Sequence, residues 1–196
     1  MGFAHARGVH EDARMPTPVH IALLRAVNVS GTKKIAMADL RDFAAAIGLA
    51  HAQTLLHSGN MVFGYDAKPK AMEDLLVREA EKRLGLSTDF FVRTVKAWDL
   101  LIAENPFAEE ARLDPARLIL FALKKAPDTA AVKALEAAIT GPERVRAIGS
   151  RLYAVYPDGM GQSRLTNRVI ESKLGTRCTA RNWNTVLRLA TMARAL

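Results

Sequence analysis

The sequence predicts an α+β protein whose chain folds as two successive β-α-β-β-α-β halves followed by a final helix. Short runs rich in apolar and β-branched residues alternate with stretches in which apolar residues recur every three or four positions. Glycine follows several of the helical stretches, as is typical of a helix end. Two tight-turn signals occupy equivalent places in the two halves, which indicates one β-hairpin in each.

The first half begins with a buried strand at 21–24, followed by a polar loop at 28–34. Apolar residues at helical spacing predict a first helix ending near Gly48: Met37, Leu40, Phe43, Ala44 and Ile47. Strands at 53–56 and 61–65 flank the turn sequence HSGN, which predicts a hairpin. A second helical stripe ends at Gly85, and a strand at 89–95 completes this half.

The second half repeats this order after a linking segment that carries Trp98 and the Asn105-Pro106-Phe107 breaker. A strand at 118–123 and a helix near 132–139 come first. Strands at 145–148 and 152–156 flank Gly149-Ser150, a pair suited to a two-residue hairpin turn. A helix from about Ser163 to Gly175, an extended piece at 176–180 and a helix from about Asn182 then follow.

Two β-α-β-β-α-β units in succession predict duplicated ferredoxin-like halves packed into one unit, with an additional C-terminal helix. The expected boundaries are 15–98 for the first half and 99–196 for the second. Residues 1–14 lack any periodicity and are expected to form a flexible N-terminal extension. Because this fold hosts many functions, the architecture assigns none.

Composition is that of an ordinary globular protein, with 49% hydrophobic and 24% charged residues in a chain of 196. No stretch approaches the roughly 20 apolar residues that span a bilayer. We therefore expect a cytoplasmic protein that does not enter membranes. Cys178 is the single cysteine, so an internal disulfide is excluded, and neither a metal site nor a cofactor is predicted.

Positive charge is concentrated near the C-terminal end of the chain. The formal net charge is +8, and residues 143–196 hold ten Lys and Arg against three Asp and Glu, a net +7. Such a segment favours acidic partners, either an anionic small molecule or nucleic acid. A merely solvated basic surface is the alternative, and the sequence leaves the oligomeric state open.

Five segments together resemble a known family. They are LLRAVNV at 23–29, LHSGNMVF at 56–63, NPF at 105–107, YPDGMGQSRLT at 156–166 and TARNWNT at 179–185. The chain is similar to domain-of-unknown-function family 1697, whose members have glycine at the position of Ala26 and often at that of Ser30. The resemblance implies a duplicated ferredoxin-like fold and a bacterial source. It implies no established activity.

The densest cluster of polar recognition groups is Arg181-Asn182-Trp183-Asn184-Thr185. Arg181 could clamp a phosphate or carboxylate, and Trp183 could stack on a base or sugar. In the structural alternative, Asn182 is a helix N-cap with Thr185 at the third helical position, and Trp183 is a core residue. Both interpretations remain open.

The loop at 156–163 leads from a strand to a helix N-terminus, where unpaired N–H groups attract anions. Ser163 and Arg164 are its candidate ligand residues, and Arg168 lies one helical turn beyond Arg164. Glu171 could partly neutralise Arg168. A plain glycine-rich turn with Ser163 as N-cap is the alternative.

In the first half, residues that border the loop after the first strand and the adjacent hairpin could line one pocket: Arg25, Asn28, Lys33, Ser58 and Asn60. Solvated lysines and an ordinary turn are the alternative. The histidines His20, His51 and His57 are scattered singly, without the spacing of a metal site.

We therefore expect a binding protein for an anionic, phosphate-bearing ligand such as a nucleotide or nucleic acid. The alternative is a small-molecule enzyme, a transferase or hydrolase acting on a phosphorylated or carboxylated substrate, with Arg164 and Arg181 holding the anion. No catalytic residue is evident, so whether the protein is an enzyme stays open. A third possibility is an oligomerisation protein.

Overall fold

The computed structural model describes residues 17–26 and 34–196. The first half contains β1 (Val19–Leu24), α1 (Met37–Ala46), β2 (Ala50–Leu55), β3 (Asn60–Gly64), α2 (Pro69–Leu84) and β4 (Phe90–Thr94). The helices α3 (Val95–Ala103) and α4 (Ala108–Leu113) follow. The predicted extension at 1–14, and the candidate ligand residues Asn28 and Lys33, lie outside the described residues.

The second half repeats the element order of the first. It contains β5 (Leu118–Leu123), α5 (Thr129–Ala137), β6 (Arg144–Ile148), β7 (Arg151–Val155), α6 (Asn167–Leu174) and β8 (Cys178–Asn182), and the chain ends with α7 (Trp183–Arg194). The protein is thus α+β, with two four-stranded antiparallel sheets and, within the described ranges, seven α-helices.

The strand order is the same in both sheets. It is β2-β3-β1-β4 in the first and β6-β7-β5-β8 in the second, so the first strand of each half lies between the third and the fourth. Ile21 of β1 pairs with Val62 of β3, and Phe121 of β5 pairs with Leu152 of β7. In the first sheet this order places the end of β1 beside the β2–β3 turn, and packing of the two halves brings β8 to the same region, where Thr179 donates to the Leu24 carbonyl at 3.2 Å.

Each sheet has one face against its own helices and one face against a shared core. Helices α1 and α2 cover the first sheet, and α5 and α6 cover the second. The shared core takes residues from both sheets and from α3 and α7: Ile21, Leu23, Val62, Phe91, Trp98, Leu101, Leu118, Leu120, Tyr153, Trp183 and Leu189. Burial of these side chains is the main favourable term that joins the halves.

Polar contacts also cross between the halves. The Lys124 ammonium lies 2.6 Å from Oε2 of Glu73, which is itself buried. The Arg177 guanidinium lies 2.9 Å from Oδ2 of Asp89 at an exposed position. The buried pair depends on good geometry to offset its desolvation, whereas exposed pairs of the second kind contribute little.

The linking segment is more regular than its sequence indicates. The predicted strand at 89–95 ends at Thr94, whose hydroxyl accepts a hydrogen bond from the Ala97 amide at 3.2 Å and so caps α3. Trp98 on α3 is fully buried, and its indole N–H donates to the Val186 carbonyl at 3.0 Å. The strand β4 is therefore followed directly by α3, and Thr94 is both the last strand residue and the helix N-cap.

Two boundaries in the second half also differ from the prediction. Helix α6 begins at Asn167 rather than near Ser163, because Thr166 is its N-cap and accepts from the Val169 amide. The last strand runs to Asn182 rather than to residue 180, because residues 178–182 pair with β5. Within the ranges that the structure describes, no helix is long and apolar enough to cross a membrane.

Candidate functional site

Arg181 projects from β8 toward the first half and is only 7% exposed. Its Nε donates to the Asn60 side-chain oxygen. Its Nη1 and Nη2 groups donate to five further acceptors: Thr179 Oγ1 at 3.0 Å, the Ala180 carbonyl at 2.7 Å, the Leu24 and Ser58 carbonyls at 2.9 Å each, and the Gly59 carbonyl at 3.4 Å. These six acceptors take up the five N–H groups that a guanidinium carries, with one N–H of Nη2 shared between two carbonyls.

Among the residues that the structure describes, the partners of Arg181 are neutral oxygens and include no carboxylate. Burial lowers its pKa to about 10, so the guanidinium is still protonated at neutral pH. A buried charge without hydrogen bonds would be far more costly. Arg181 is therefore held as a bridge between the halves, and the contacts favour a structural role over the predicted ligand clamp.

Asn60 and Ser58 belong to the same network. Asn60 is fully buried, and its amide nitrogen donates to the Leu55 carbonyl at 2.8 Å and to Ser58 Oγ at 2.9 Å. The hairpin residues and Arg181, which the sequence suggested as separate candidates, meet in space. Their polar atoms, however, are engaged with one another.

Arg25 lies at the end of β1 and forms a two-pronged ion pair with Glu171 of α6. The distances are 3.0 Å from Nε to Oε1 and 2.9 Å from Nη2 to Oε2, and Glu171 raises the pKa of Arg25. Glu171 also accepts the Cys178 amide at 2.8 Å. The carboxylate expected to neutralise Arg168 thus pairs with Arg25 of the other half.

The remaining members of the C-terminal cluster separate into buried and exposed residues. The Asn182 side-chain oxygen accepts the Thr185 amide and hydroxyl at 3.0 Å each, which is the predicted N-cap of α7. Trp183 is 2% exposed and its ring lies 6.2 Å from that of Tyr153, in the shared core. Asn182 and Asn184 are exposed, whereas Trp183 and Thr185 are buried.

A second region gathers the other predicted ligand residues, Ser163 and Arg164. Residues 140–143 and the glycine-bearing loop at 156–164 enclose a cleft of about 320 Å³, called here the glycine-loop cleft. Its lining consists of Thr140, Gly141, Pro142, Glu143, Tyr156, Asp158, Gly159, Gln162, Ser163 and Arg164. Arg164 and Arg181 therefore belong to different places.

The floor of the glycine-loop cleft is ordered by side-chain contacts. The Tyr156 hydroxyl donates to the Leu165 carbonyl at 2.9 Å, and burial raises the pKa of this tyrosine. The Ser163 hydroxyl donates to Oε1 of Glu143 and accepts the Leu165 amide at 2.9 Å. Ser163 thus fixes the loop rather than capping the helix.

Two charged residues, one lining this cleft and one beside its loop, had no signal in the sequence. Glu143 follows a Gly-Pro pair and reaches Ser163 across the cleft. Arg117 precedes β5, and its guanidinium lies against Gly159 in the space that a Cβ atom would occupy. Both contacts join segments that are distant in sequence, so only the folded chain reveals them.

Arg164 is exposed, and no hydrogen bond or ion pair of its guanidinium occurs within the described part of the chain. Of the predicted ligand residues that line the cleft, it is the one whose charged group is available. Cys178, by contrast, is buried, and burial raises its pKa to about 12. Residues 17–26 and 34–196 contain no group of three or more potential metal ligands.

Comparison with known protein families shows to which family the chain belongs. Residues 18–153 match the family described as "Protein of unknown function (DUF1697)". The chain belongs to this family. The resemblance seen in the sequence motifs is thereby confirmed, although the motifs at 156–166 and 179–185 lie beyond the matched residues.

A solved structure shares the fold of this chain. The chain is similar in structure to the conserved bacterial protein SP0830 from Streptococcus pneumoniae, with a TM-score of 0.70 and 17% sequence identity. The similarity covers 90% of this chain and 99% of that protein. No curated protein matches the sequence.

Proposed function

We propose that this protein binds a phosphate-bearing ligand in the glycine-loop cleft. The observation that carries the proposal is the Arg164 guanidinium, which lines the cleft and has no partner among the residues described. A free guanidinium offers paired N–H donors that match a phosphate. The net charge of +7 in residues 143–196 adds a favourable field for an anion.

The cleft is a better candidate than the Arg181 region because the guanidinium of Arg164 has unused N–H donors and that of Arg181 does not. The donors of Arg181 are used by oxygens of the protein, whereas Arg164 lines the cleft and its guanidinium has no partner among the described residues. A ligand at Arg181 would have to displace internal hydrogen bonds in a buried site. At Arg164 it would displace only water.

Calorimetric titration with inorganic phosphate and with AMP tests this proposal. We expect both anions to bind, and we expect Arg164→Gln to weaken binding about 10- to 100-fold, the effect of losing one charge-assisted contact of about 1.5–3 kcal/mol. Arg188→Gln is the matched control, because Arg188 is an exposed arginine of α7 that does not line the cleft. Equal affinities for the wild type and Arg164→Gln would contradict the proposal.

A single-stranded oligonucleotide serves as the third titrant and separates a nucleotide site from a nucleic-acid surface. Binding along a basic surface would weaken steeply with salt, because neutralised phosphates release counterions. A ligand held in the cleft would show a shallow salt dependence. An affinity for the oligonucleotide far above that for AMP, lost equally in Arg164→Gln and Arg188→Gln, would favour a nucleic-acid surface instead.

An enzyme acting on a phosphorylated substrate is the second candidate, and the contact between Ser163 and Glu143 favours it. A carboxylate that accepts the proton of a hydroxyl is an arrangement used to orient a nucleophile. Release of inorganic phosphate from ribose 5-phosphate is the assay. We expect release by the wild type and none by Ser163→Ala, and no release by the wild type would reject hydrolysis of this substrate.

We also propose that the halves are duplicated ferredoxin-like units and that the protein works in the cytoplasm of a bacterium. The shared strand order and repeated β-α-β-β-α-β sequence support duplication. A bacterial neighbour of the same fold supports the source, and a lone, buried thiol is typical of a reducing compartment. Superposition of the two halves in a crystal structure, with equivalent strands matched, tests the duplication.

A further inference from the structure

The glycine-loop cleft carries charges of both signs. Asp158 and Arg164 both line it, both are exposed, and neither forms an ion pair within the described ranges. Glu143 contributes a second carboxylate. A cleft meant only for a highly charged anion would be expected to lack carboxylates, because like charges repel.

The Glu143 carboxylate is held in one position. Its Oε1 accepts the Ser163 hydroxyl, and its Oε2 has no hydrogen-bond partner among the described residues. The carboxylate lies over Gly141, where an added Cβ atom would come within 2.5 Å of Oε2. The absence of a side chain at Gly141 thus makes room for a carboxylate whose second oxygen remains free to accept a hydrogen bond.

A similar arrangement places a cation beside the loop. Gly159 has a φ of +88°, a conformation suited to glycine, and the Arg117 guanidinium fills the space beside its Cα atom. Arg117 is only loosely paired with Asp114, at 3.6 Å. The loop at 156–164 therefore has the Arg117 guanidinium beside it and carries both Arg164 and the Asp158 carboxylate, whereas residues 140–143 contribute the Glu143 carboxylate.

From these observations we infer that the ligand is a phosphorylated polyol, either a sugar phosphate or a nucleoside monophosphate. This inference rests on the proposed function. Arg164 binds the phosphate, and two hydroxyl groups of the sugar donate to Oε2 of Glu143 and to Asp158. The volume of about 320 Å³ is at the lower end of the range for small-molecule sites, which fits one sugar and one phosphate better than a longer nucleotide.

The test compares inorganic phosphate, ribose 5-phosphate, 2-deoxyribose 5-phosphate and AMP by calorimetric titration. We expect ribose 5-phosphate to bind at least tenfold more tightly than inorganic phosphate, and its 2-deoxy analogue to lose part of that gain. If AMP binds no more tightly than ribose 5-phosphate, the site is assigned to sugar phosphates. If AMP binds more tightly, the site is assigned to nucleotides.

Glu143→Gln tests the recognition of hydroxyl groups separately from that of phosphate. We expect this variant to bind inorganic phosphate at least as tightly as the wild type, because one repelling carboxylate is removed, and to lose most of the preference for ribose 5-phosphate. Glu109→Gln, which removes an exposed carboxylate away from the cleft, is the matched control. Gly141→Ala should resemble Glu143→Gln, because the added methyl group displaces the same carboxylate.

Failure of this inference and failure of the proposed function have different signatures. Equal affinities of the wild type for inorganic phosphate and ribose 5-phosphate would overturn the inference while leaving phosphate binding at Arg164 intact. A preference for ribose 5-phosphate that persists in Glu143→Gln would also overturn it. If Arg164→Gln bound inorganic phosphate as tightly as the wild type does, the proposed function would instead be rejected.

Discussion

Arg181 donates a hydrogen bond to Asn60 across 121 residues of sequence, and this contact joins the last strand of the second half to the hairpin of the first. The guanidinium also binds the carbonyls of Leu24 and Ser58. One buried side chain therefore satisfies backbone groups at the end of β1 and in the β2–β3 turn. The arrangement makes the conformation of both segments depend on a residue of β8.

Replacing Arg181 should destabilise the protein strongly. Arg181→Met keeps much of the side-chain volume but leaves several buried carbonyls without donors, and we expect a loss of about 3–5 kcal/mol in the free energy of unfolding. Urea denaturation measures it. The exposed Arg188→Met is the control and should change stability by less than about 0.5 kcal/mol. A loss below 1 kcal/mol in Arg181→Met, on the order of an ordinary surface change, would show that the network is not needed.

Ala26 has a φ of +50°, so a glycine should be tolerated there better than elsewhere. A non-glycine residue in this region costs roughly 1–2 kcal/mol, and relief of that strain offsets the greater chain entropy of glycine. We expect Ala26→Gly to leave stability unchanged or to raise it by up to about 1 kcal/mol.

The control for Ala26→Gly is the same change in a regular helix. Ala134 is exposed in α5, and Ala134→Gly should cost about 1 kcal/mol in thermal or urea unfolding. Equal losses at the two positions would indicate that the left-handed conformation at Ala26 carries no strain.

His20 should make the protein less stable in mild acid. It is 1% exposed, its Nε2 lies 3.0 Å from the Tyr65 carbonyl, and its Nδ1 has no hydrogen-bond partner within 17–26 and 34–196. Burial lowers its pKa from 6.5. The unfolded chain therefore binds a proton more readily than the folded one, so stability is complete above pH 6.5 and is lost as pH falls toward and through the folded-state pKa.

Urea denaturation at pH 7.5 and pH 5.0 measures this dependence on His20. We expect the wild type to lose stability between these values and His20→Gln, which cannot titrate, to lose less over the same interval. A His20→Gln variant with the same change in stability as the wild type would assign the pH dependence to other groups.

Cys178 should be unreactive toward thiol reagents in the folded protein. Burial raises its pKa to about 12, so the thiolate that reacts is scarce at neutral pH, and the side chain is 1% exposed. Labelling with a disulfide reagent at pH 8 should be slow in buffer and rapid in denaturing urea. Labelling at the rate of a free thiol in buffer would mean that β8 opens readily.

Local rules predicted much of the fold and part of the site. The N-cap at Asn182 and the helix end at Gly175 are properties of neighbouring residues, and both are found where the sequence indicated. The contact between Arg181 and Asn60, and that between Arg117 and Gly159, depend on how distant segments pack. No pattern of spacing predicts such contacts. The sequence therefore identified Arg181 as a candidate ligand residue but did not predict that it is buried.

The shared core has a consequence for the separated halves. Each sheet leaves one apolar face, which includes Val62 and Phe91 in the first half and Leu120 and Tyr153 in the second, to be covered by the other half together with α3 and α7. Either fragment expressed alone would present this face to water and would be prone to self-association. When the two fragments are produced in the same cell, their apolar faces should cover each other and the protein should reassemble. The chain is therefore well suited to fragment complementation.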